Sequence, residues 1–358
     1  MALTGAMSAG ISGLKAHMDA LNVVGNNVAN VNTQGYKPGR VTFKESIYST
    51  QSAGSAGTAT VGGTNPRQTG YGVGIGTIDL DMSSRSLDST GRGMDCAIQG
   101  DGFFLVGDKT HDIDSMDALK GLTLTRVGNF EFRDGYLTDG QGNVVYGFIT
   151  RSNGDAPGTT PGDKPSTDLV PIRLPMKSTD PNSKGDAVYV GVDNQTGANV
   201  YPDNDPAATV DGFVDLENIS IDKNGKITGT FKDTGDPVVV GYIALGSVEN
   251  LNGVLHTEGP YYTAGDAAGD IRVGTPGNSV TGNLRNDKIT DGNNVVAPDS
   301  ALAEGSGATL MTGFLEASGT DLAAEFANMI IYQRGYQANT RIVTVTDTML
   351  EELVNMKR

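Results

Sequence analysis

Three histidines, one cysteine and a surplus of carboxylates are the residues of this 358-residue chain with the types to do chemistry. His17, His111 and His256 share no spacing with one another or with Cys96, so no zinc-ligand pattern forms. Cys96 lies in the alternating run Met94-Asp95-Cys96-Ala97-Ile98, where a free cysteine serves as a small buried hydrophobe. A single thiol also excludes an intrachain disulfide. The run from Gly70 to Gly76 has the glycine density of a phosphate loop but no strand–turn–helix context, and it reads as a glycine-alternating strand. Asp193 to Gly197 and Asp222 to Gly225 evoke calcium loops, yet neither has the sixth-position glycine or the terminal bidentate acid, so both read as turns. Acids are plentiful enough to place a glycosidase-type pair anywhere, and no spacing selects one. The expectation is no catalytic, cofactor or metal site, and no enzyme.

Composition narrows the class further. The formal net charge is -16, which disfavours a nucleic-acid partner because phosphate binding needs a basic face. No apolar run approaches the roughly 18 residues of a membrane span, so no membrane partner is expected. The start Met1-Ala2-Leu3-Thr4-Gly5 lacks the basic and continuously apolar regions of a cleavable signal peptide. Gly accounts for 50 residues, Trp for none and charged residues for only 19%, a mix that favours short strands and many turns.

The strongest periodic signals lie at the two ends. Met7, Leu14, Leu21 and Val28 fall seven apart, with Ile11 and Met18 between them. Leu322, Met329, Tyr336, Val343 and Leu350 also fall seven apart, with Phe326 and Val354 between them. A helix carrying such a stripe wants a partner helix along its length, so these residues are the candidate assembly interface. Gly5, Gly10, Gly13 and Gly25 each cost the first helix about 1 kcal/mol relative to Ala, so residues 3–28 are predicted to be disordered in the free monomer and to order on assembly. That helix should stop near Asn30 to Gly35. The second should begin at Ser318 as N-cap, with Asp321 three residues on.

Between the ends the pattern is antiparallel β. Asp134-Gly135, Asp139-Gly140 and Lys223-Asn224-Gly225 punctuate alternating runs as hairpin turns do. The predicted fold is mainly β with terminal α-helices: discontinuous nested β domains plus a coiled-coil-like helical pair. The expected domains are 1–30 with 318–358 as terminal helices forming an inner tube, and 31–69 as an extended linker. The main β domain is expected at 70–176 with 216–317, and a small outer domain or elaborated loop at 177–215.

The stretch from Leu21 to Lys37 resembles the signature of flagellar axial proteins of the rod and hook class. Asn26, Asn27, Ala29, Asn30, Asn32, Thr33, Gly35, Tyr36 and Lys37 are its signature residues here. The runs Gly62 to Gly70, Ser89 to Arg92 and Ala97 to Phe104 are similar to the hook branch of that family, and Glu316 to Asn339 to its terminal helix. The resemblance implies a hook subunit that polymerises through its terminal helices into a curved tube, a universal joint between rod and filament for motility. It implies no cofactor, and self as the main partner, with rod and hook–filament junction proteins, the hook cap and the flagellar export apparatus as others. It places the protein in the extracellular flagellum, exported by the flagellar type III route without signal cleavage. The alternatives are the distal rod protein, which would share both terminal signatures, and a secreted adhesin-like β protein using the 150–215 surface.

Overall fold

A computed structural model describes residues 2–57, 60, 62–109, 119–149, 169–178, 187–188, 191–192, 199–200, 210–232, 235, 237–278, 290–291, 294–295 and 308–356. The chain divides into two compact units: residues 1–82 with 318–358, and residues 83–317.

The first unit holds both long helices, α1 (Ala2–Ala29) and α2 (Leu322–Asn355), with the strands β1 (Gly39–Glu45), β2 (Tyr48–Ser52), β3 (Arg67–Gly70) and β4 (Val73–Leu80). α1 ends where the Asn30–Tyr36 turn begins, and Gly35 there takes a φ of 68°, which a Cβ would strain. α2 begins at Leu322, not at Ser318. Asp321 is its N-cap, accepting from the backbone N–H groups of Ala323 and Ala324 at 2.9 and 3.3 Å. Ser318 is drawn elsewhere: its hydroxyl donates to the Asn30 carbonyl at 2.9 Å, at the end of α1.

The stretch expected as a linker, 31–69, contains three strands. β1 pairs antiparallel with β4 and β2 with β3, and the Tyr71 N–H to Ile47 carbonyl bond carries the ribbon across the junction. Thr42 bonds Thr77, Gln51 bonds Thr69, and Gln68 bonds Thr50 across the strands. Such pairs hold register in a Ser/Thr/Gly-rich sequence that buries little. This ribbon belongs to the first unit, which therefore extends to Met82, past the start at 70 expected for the main β domain.

The second unit is antiparallel β. Its described strands include β5 (Leu87–Ser89), β6 (Cys96–Gln99), β7 (Phe103–Gly107), β8 (Thr123–Thr125), β9 (Glu131–Arg133), β10 (Tyr136–Thr138), β11 (Val144–Ile149), β12 (Leu216–Ile221), β13 (Lys226–Phe231), β14 (Pro237–Ile243), β15 (Val254–His256), β16 (Tyr261–Ala264), β17 (Thr309–Thr312) and β18 (Phe314–Glu316). The main sheet runs β12-β13-β14-β11-β7-β8-β16-β15. β7 lies inside it, and all of Phe103-Phe104-Leu105-Val106 is buried, as expected of an apolar run covered on both faces. Phe104 packs edge-on against Phe130, and Leu137, Val145, Ile227, Val240 and Ile243 complete the centre of the core.

The hairpin signals hold. Asp134 and Gly135 turn β9 into β10 with φ of 51° and 79°, both positive as a two-residue type I′ turn requires. Gly225 supplies a φ of 73° between β12 and β13. Cys96 sits on β6 with no solvent exposure, and burial pushes its thiol well above the usual range, with Asp95 adding to the effect. Most of 177–215, residues 153–166 and His111 lie outside the described residues. Ala187–Val188 pairs antiparallel with Met176–Ser178.

Candidate assembly interface

The two helices of the first unit lie antiparallel. Gly10 faces Val343, Ile342 and Asn339, Gly13 faces Asn339, Gly335 faces His17, and Asn27 bonds Glu325. Each step forward along α1 matches a step back along α2, so one register persists over five turns of helix. The face of α1 turned inward is made of small residues: Gly10, Gly13, Ala16 and Ala20 are buried, followed by Val24 and Asn27. A Cβ on Gly13 would lie 2.7 Å from the Asn339 side chain, and one on Gly335 would lie 2.6 Å from the His17 ring. That ring is itself held between Phe43 at 5.6 Å and Tyr332 at 6.1 Å.

The signature residues form the corner that joins the end of α1 to the start of α2. Asn27 is the centre of it. Its Nδ2 donates to the Gly39 carbonyl and to Glu325 Oε1, both at 2.9 Å. Its Oδ1 accepts from the Gly39 N–H and the Tyr36 hydroxyl, both at 3.0 Å. Every hydrogen-bonding position of the amide is thereby used. Asn26 donates to the Tyr36 hydroxyl at 3.1 Å, Asn30 donates to Asn26, and Thr33 donates to Asn30. From the other side Thr320 donates to the Asn27 carbonyl at 3.1 Å, and the Gly319 N–H donates to the Tyr36 carbonyl at 2.9 Å. Tyr36 and Lys37 are buried, Gly35 makes the turn, and Ala29 and Asn32 are exposed. Burial pushes the Glu325 carboxyl above its usual value, against the lowering effect of the Asn27 bond, and Asp321 adds to the rise. Burial also raises the Tyr36 phenol, with the Glu325 charge adding to it.

The large apolar stripe of α1 is not its seam with α2. Ile11 and Met18 are exposed, and Met7, Leu14, Leu21 and Val28 are only half-buried, on the flank beside the small-residue face. On α2 Thr346 is the one buried residue. Leu322 and Phe326 are exposed, while Met329, Tyr336, Val343 and Leu350 are half-buried. Val343 is the stripe residue that meets α1 at Gly10. A further row, Ile342, Val345, Met349 and Leu353, is exposed at about half of each side chain. Reading the large residues alone missed the seam. Its signal was the spacing of the small ones, three and four apart from Gly10 to Asn27.

The remaining chemistry stays scattered. Among the described residues no three metal-ligating side chains converge, and no helix is long and apolar enough to cross a membrane. A cleft of about 200 Å³ in the second unit is lined by Thr125, Asn129, Asp139, Gln141 and Tyr261. Its polar groups bond one another: the Tyr261 hydroxyl donates to Asp139 Oδ2 at 2.5 Å, and Asp139 Oδ1 accepts from the N–H groups of Gln141 and Asn143. This is a satisfied turn.

The family described as "Flagella basal body rod protein" matches residues 7–37, and the family described as "Flagellar basal body rod FlgEFG protein C-terminal" matches residues 311–356. The flagellar basal-body rod protein FlgG of Bacillus subtilis is 32% identical over 98% of this chain and 97% of its own length. The chain belongs to the flagellar rod and hook protein family. Flagellar hook proteins FlgE are also similar: that of Borreliella burgdorferi is 25% identical over 97% of this chain and 98% of its own, and that of Salmonella typhimurium 27% over 98% and 99%. The two family matches fall on α1 with its signature corner and on α2, the segments that build the seam. The family is one of structural flagellar subunits, in keeping with the absence of a catalytic pattern in the sequence.

Proposed function

We propose that this protein is a structural subunit of the bacterial flagellar hook, and that it polymerises through α1 and α2 into a curved helical tube coupling rod to filament. The observation that carries the polymer is the division of labour on the helices. Small residues satisfy the intrachain seam, and long rows of large apolar residues stay in water: Ile11 and Met18 on α1, Leu322, Phe326, Ile330 and Ile331 on one half of α2, and Ile342, Val345, Met349 and Leu353 on the other. Monomers rarely leave such continuous apolar surface uncovered. Other copies of the same helices supply a matching cover. Within the first unit the two helices are the inner-tube segments, and the β ribbon of residues 39–80 is exposed along most of its length. Export without signal cleavage, and the cap, junction and export proteins as partners, belong to the same reading.

A second reading, the distal rod, has its own support: FlgG of Bacillus subtilis aligns over 357 residues, whereas the FlgE alignments extend to 428 and 472 positions. Electron microscopy of a strain lacking the gene separates the two. Complete rods without hooks match the hook, and missing distal rods overturn it in favour of the rod. For the polymer itself, concentrated protein should form tubes, and Ile11→Asp or Val345→Asp should leave a monomer with unchanged helix content and no tubes. Normal tubes from both variants would overturn the interface.

A further inference from the structure

The second unit begins and ends on the same two-stranded ribbon. The chain comes in at Ser83 and goes out at Ala317. The Ala317 N–H donates to the Ser86 carbonyl at 3.0 Å, and β18 then pairs antiparallel with β5 in the register Glu316↔Leu87, Leu315↔Asp88, Phe314↔Ser89. The Thr90 N–H to Gly313 carbonyl bond, and then Gly313 N–H to the Asp95 carbonyl, carry the pairing on to β6 and β17, which run from Thr312↔Cys96 to Thr309↔Gln99. Tension on the chain at its two crossings therefore pulls these partners apart from one end. Rungs loaded one after another resist far less than rungs loaded together, since each backbone bond contributes little alone.

At the first loaded rung stands a charge that is out of water. Glu316 is 2% exposed, and its Oε1 accepts from the Arg85 N–H at 3.3 Å. Its Oε2 lies 3.9 Å from Nη1 of Arg126, whose side chain has no exposure. Arg126 follows β8, so it belongs to the body of the sheet and not to the ribbon. The same Nη1 donates to the Gly100 carbonyl at 3.0 Å, and the guanidinium lies over the Phe103 ring at 5.4 Å. Opening the first rung would draw the carboxylate away and leave the buried guanidinium without its ion-pair partner, with the Gly100 carbonyl and the charge of Asp101 as what remains. Removing one partner of a buried pair is among the most destabilising changes a core can suffer.

We infer that the Arg126–Glu316 pair is a mechanical latch, which keeps the second unit folded when load reaches it through the chain crossings at Ser83 and Ala317. The latch is specific to direction: force applied elsewhere on the unit does not peel β5 from β18 and does not test the pair first. Its use in a load-bearing axis rests on the reading of the protein as a flagellar axial subunit, but its strength is a property of the single chain.

Single-molecule pulling on the full-length protein tests it with no polymer present. Held by its two termini, the chain loads the second unit at the crossings once the first unit has opened, and unfolding of the second unit then releases about 235 residues, roughly 800 Å of contour. Glu316→Gln should raise the unfolding rate at a given force about 100-fold in this geometry. Held instead through Lys232→Cys and Leu255→Cys in a Cys96→Ala background, both sites being exposed, the same substitution should change the rate less than about 10-fold. If Glu316→Gln does not fold, Arg126→Lys, which keeps the charge and alters the fork, gives the same comparison. An equal change in both geometries, or none at the crossings, overturns the latch whether or not the protein forms tubes.

Discussion

Asn27 has no hydrogen-bonding position left over, and that makes it the residue on which the corner depends. Asn27→Asp keeps its shape but removes two donors and sets a second carboxylate against Glu325. The expected loss is about 2–4 kcal/mol of first-unit stability near neutral pH, read from denaturant melts followed by helix signal. Glu325 carries a pH signature of its own. Its carboxyl titrates above the usual 4.5 because it is partly buried, so the folded corner prefers the protonated form. The stability from that preference is fully present below about pH 4.5 and is lost as pH rises through the raised folded value. Glu325→Gln keeps an oxygen for Asn27 and cannot ionise. Melting midpoints of parent and variant should therefore diverge as pH increases, with the variant the more stable. Midpoints that stay parallel would show that the carboxyl is not strained.

The glycines of the helices separate into two kinds, and substitution should tell them apart. Gly13 and Gly335 sit where the partner helix leaves no space for a Cβ, and one on Gly10 would press on Val343 at 3.3 Å, whereas nothing lies within 4 Å of a Cβ on Gly25. Gly25→Ala should stabilise monomer helix content by up to about 1 kcal/mol, because only the propensity changes. Gly335→Val should destabilise it by about 1–3 kcal/mol, since the His17 ring is held by Phe43 and Tyr332 and cannot yield freely. Thermal unfolding by circular dichroism reads both. At this scale the sequence was legible wherever one rule acted alone. Asp134-Gly135 is a turn in any context, and the seven-residue stripes are helices. It was not legible where two partners competed for one group. Ser318 fits an N-cap by local rules, yet its hydroxyl goes to the Asn30 carbonyl nearly 300 positions away, and Asp321 takes over the cap. The seam was hidden for a similar reason: large residues dominate any hydrophobic pattern, while the close approach of two helices depends on the small ones. The ribbon of residues 39–80 escaped because its register is held by hydroxyl and amide pairs, which leave no apolar alternation to read.

Over the whole molecule the charge is divided unequally. The first unit carries nine basic and nine acidic side chains, so the entire formal charge of -16 lies on residues 83–317. A neutral unit can be stacked copy on copy without electrostatic cost, while the acidic units repel one another as they are brought together. Assembly should thus accelerate with ionic strength, since a rise from about 0.05 M to about 0.5 M shortens the screening distance roughly threefold. Replacing eight exposed acids of the second unit with amides should give the same acceleration at low salt, by light scattering. Replacing acids of the first unit should not. Assembly indifferent to salt would mean that the acidic units stay too far apart in the tube to sense each other.

Cys96, sealed on β6 against β17, gives the chain a built-in clock. It is the only sulfhydryl in the sequence, so a colourless aromatic disulfide added to intact protein can react at one place alone. Colour then develops at the pace at which that stretch of backbone comes open, and no dye, tag or engineered probe has to be introduced to time it.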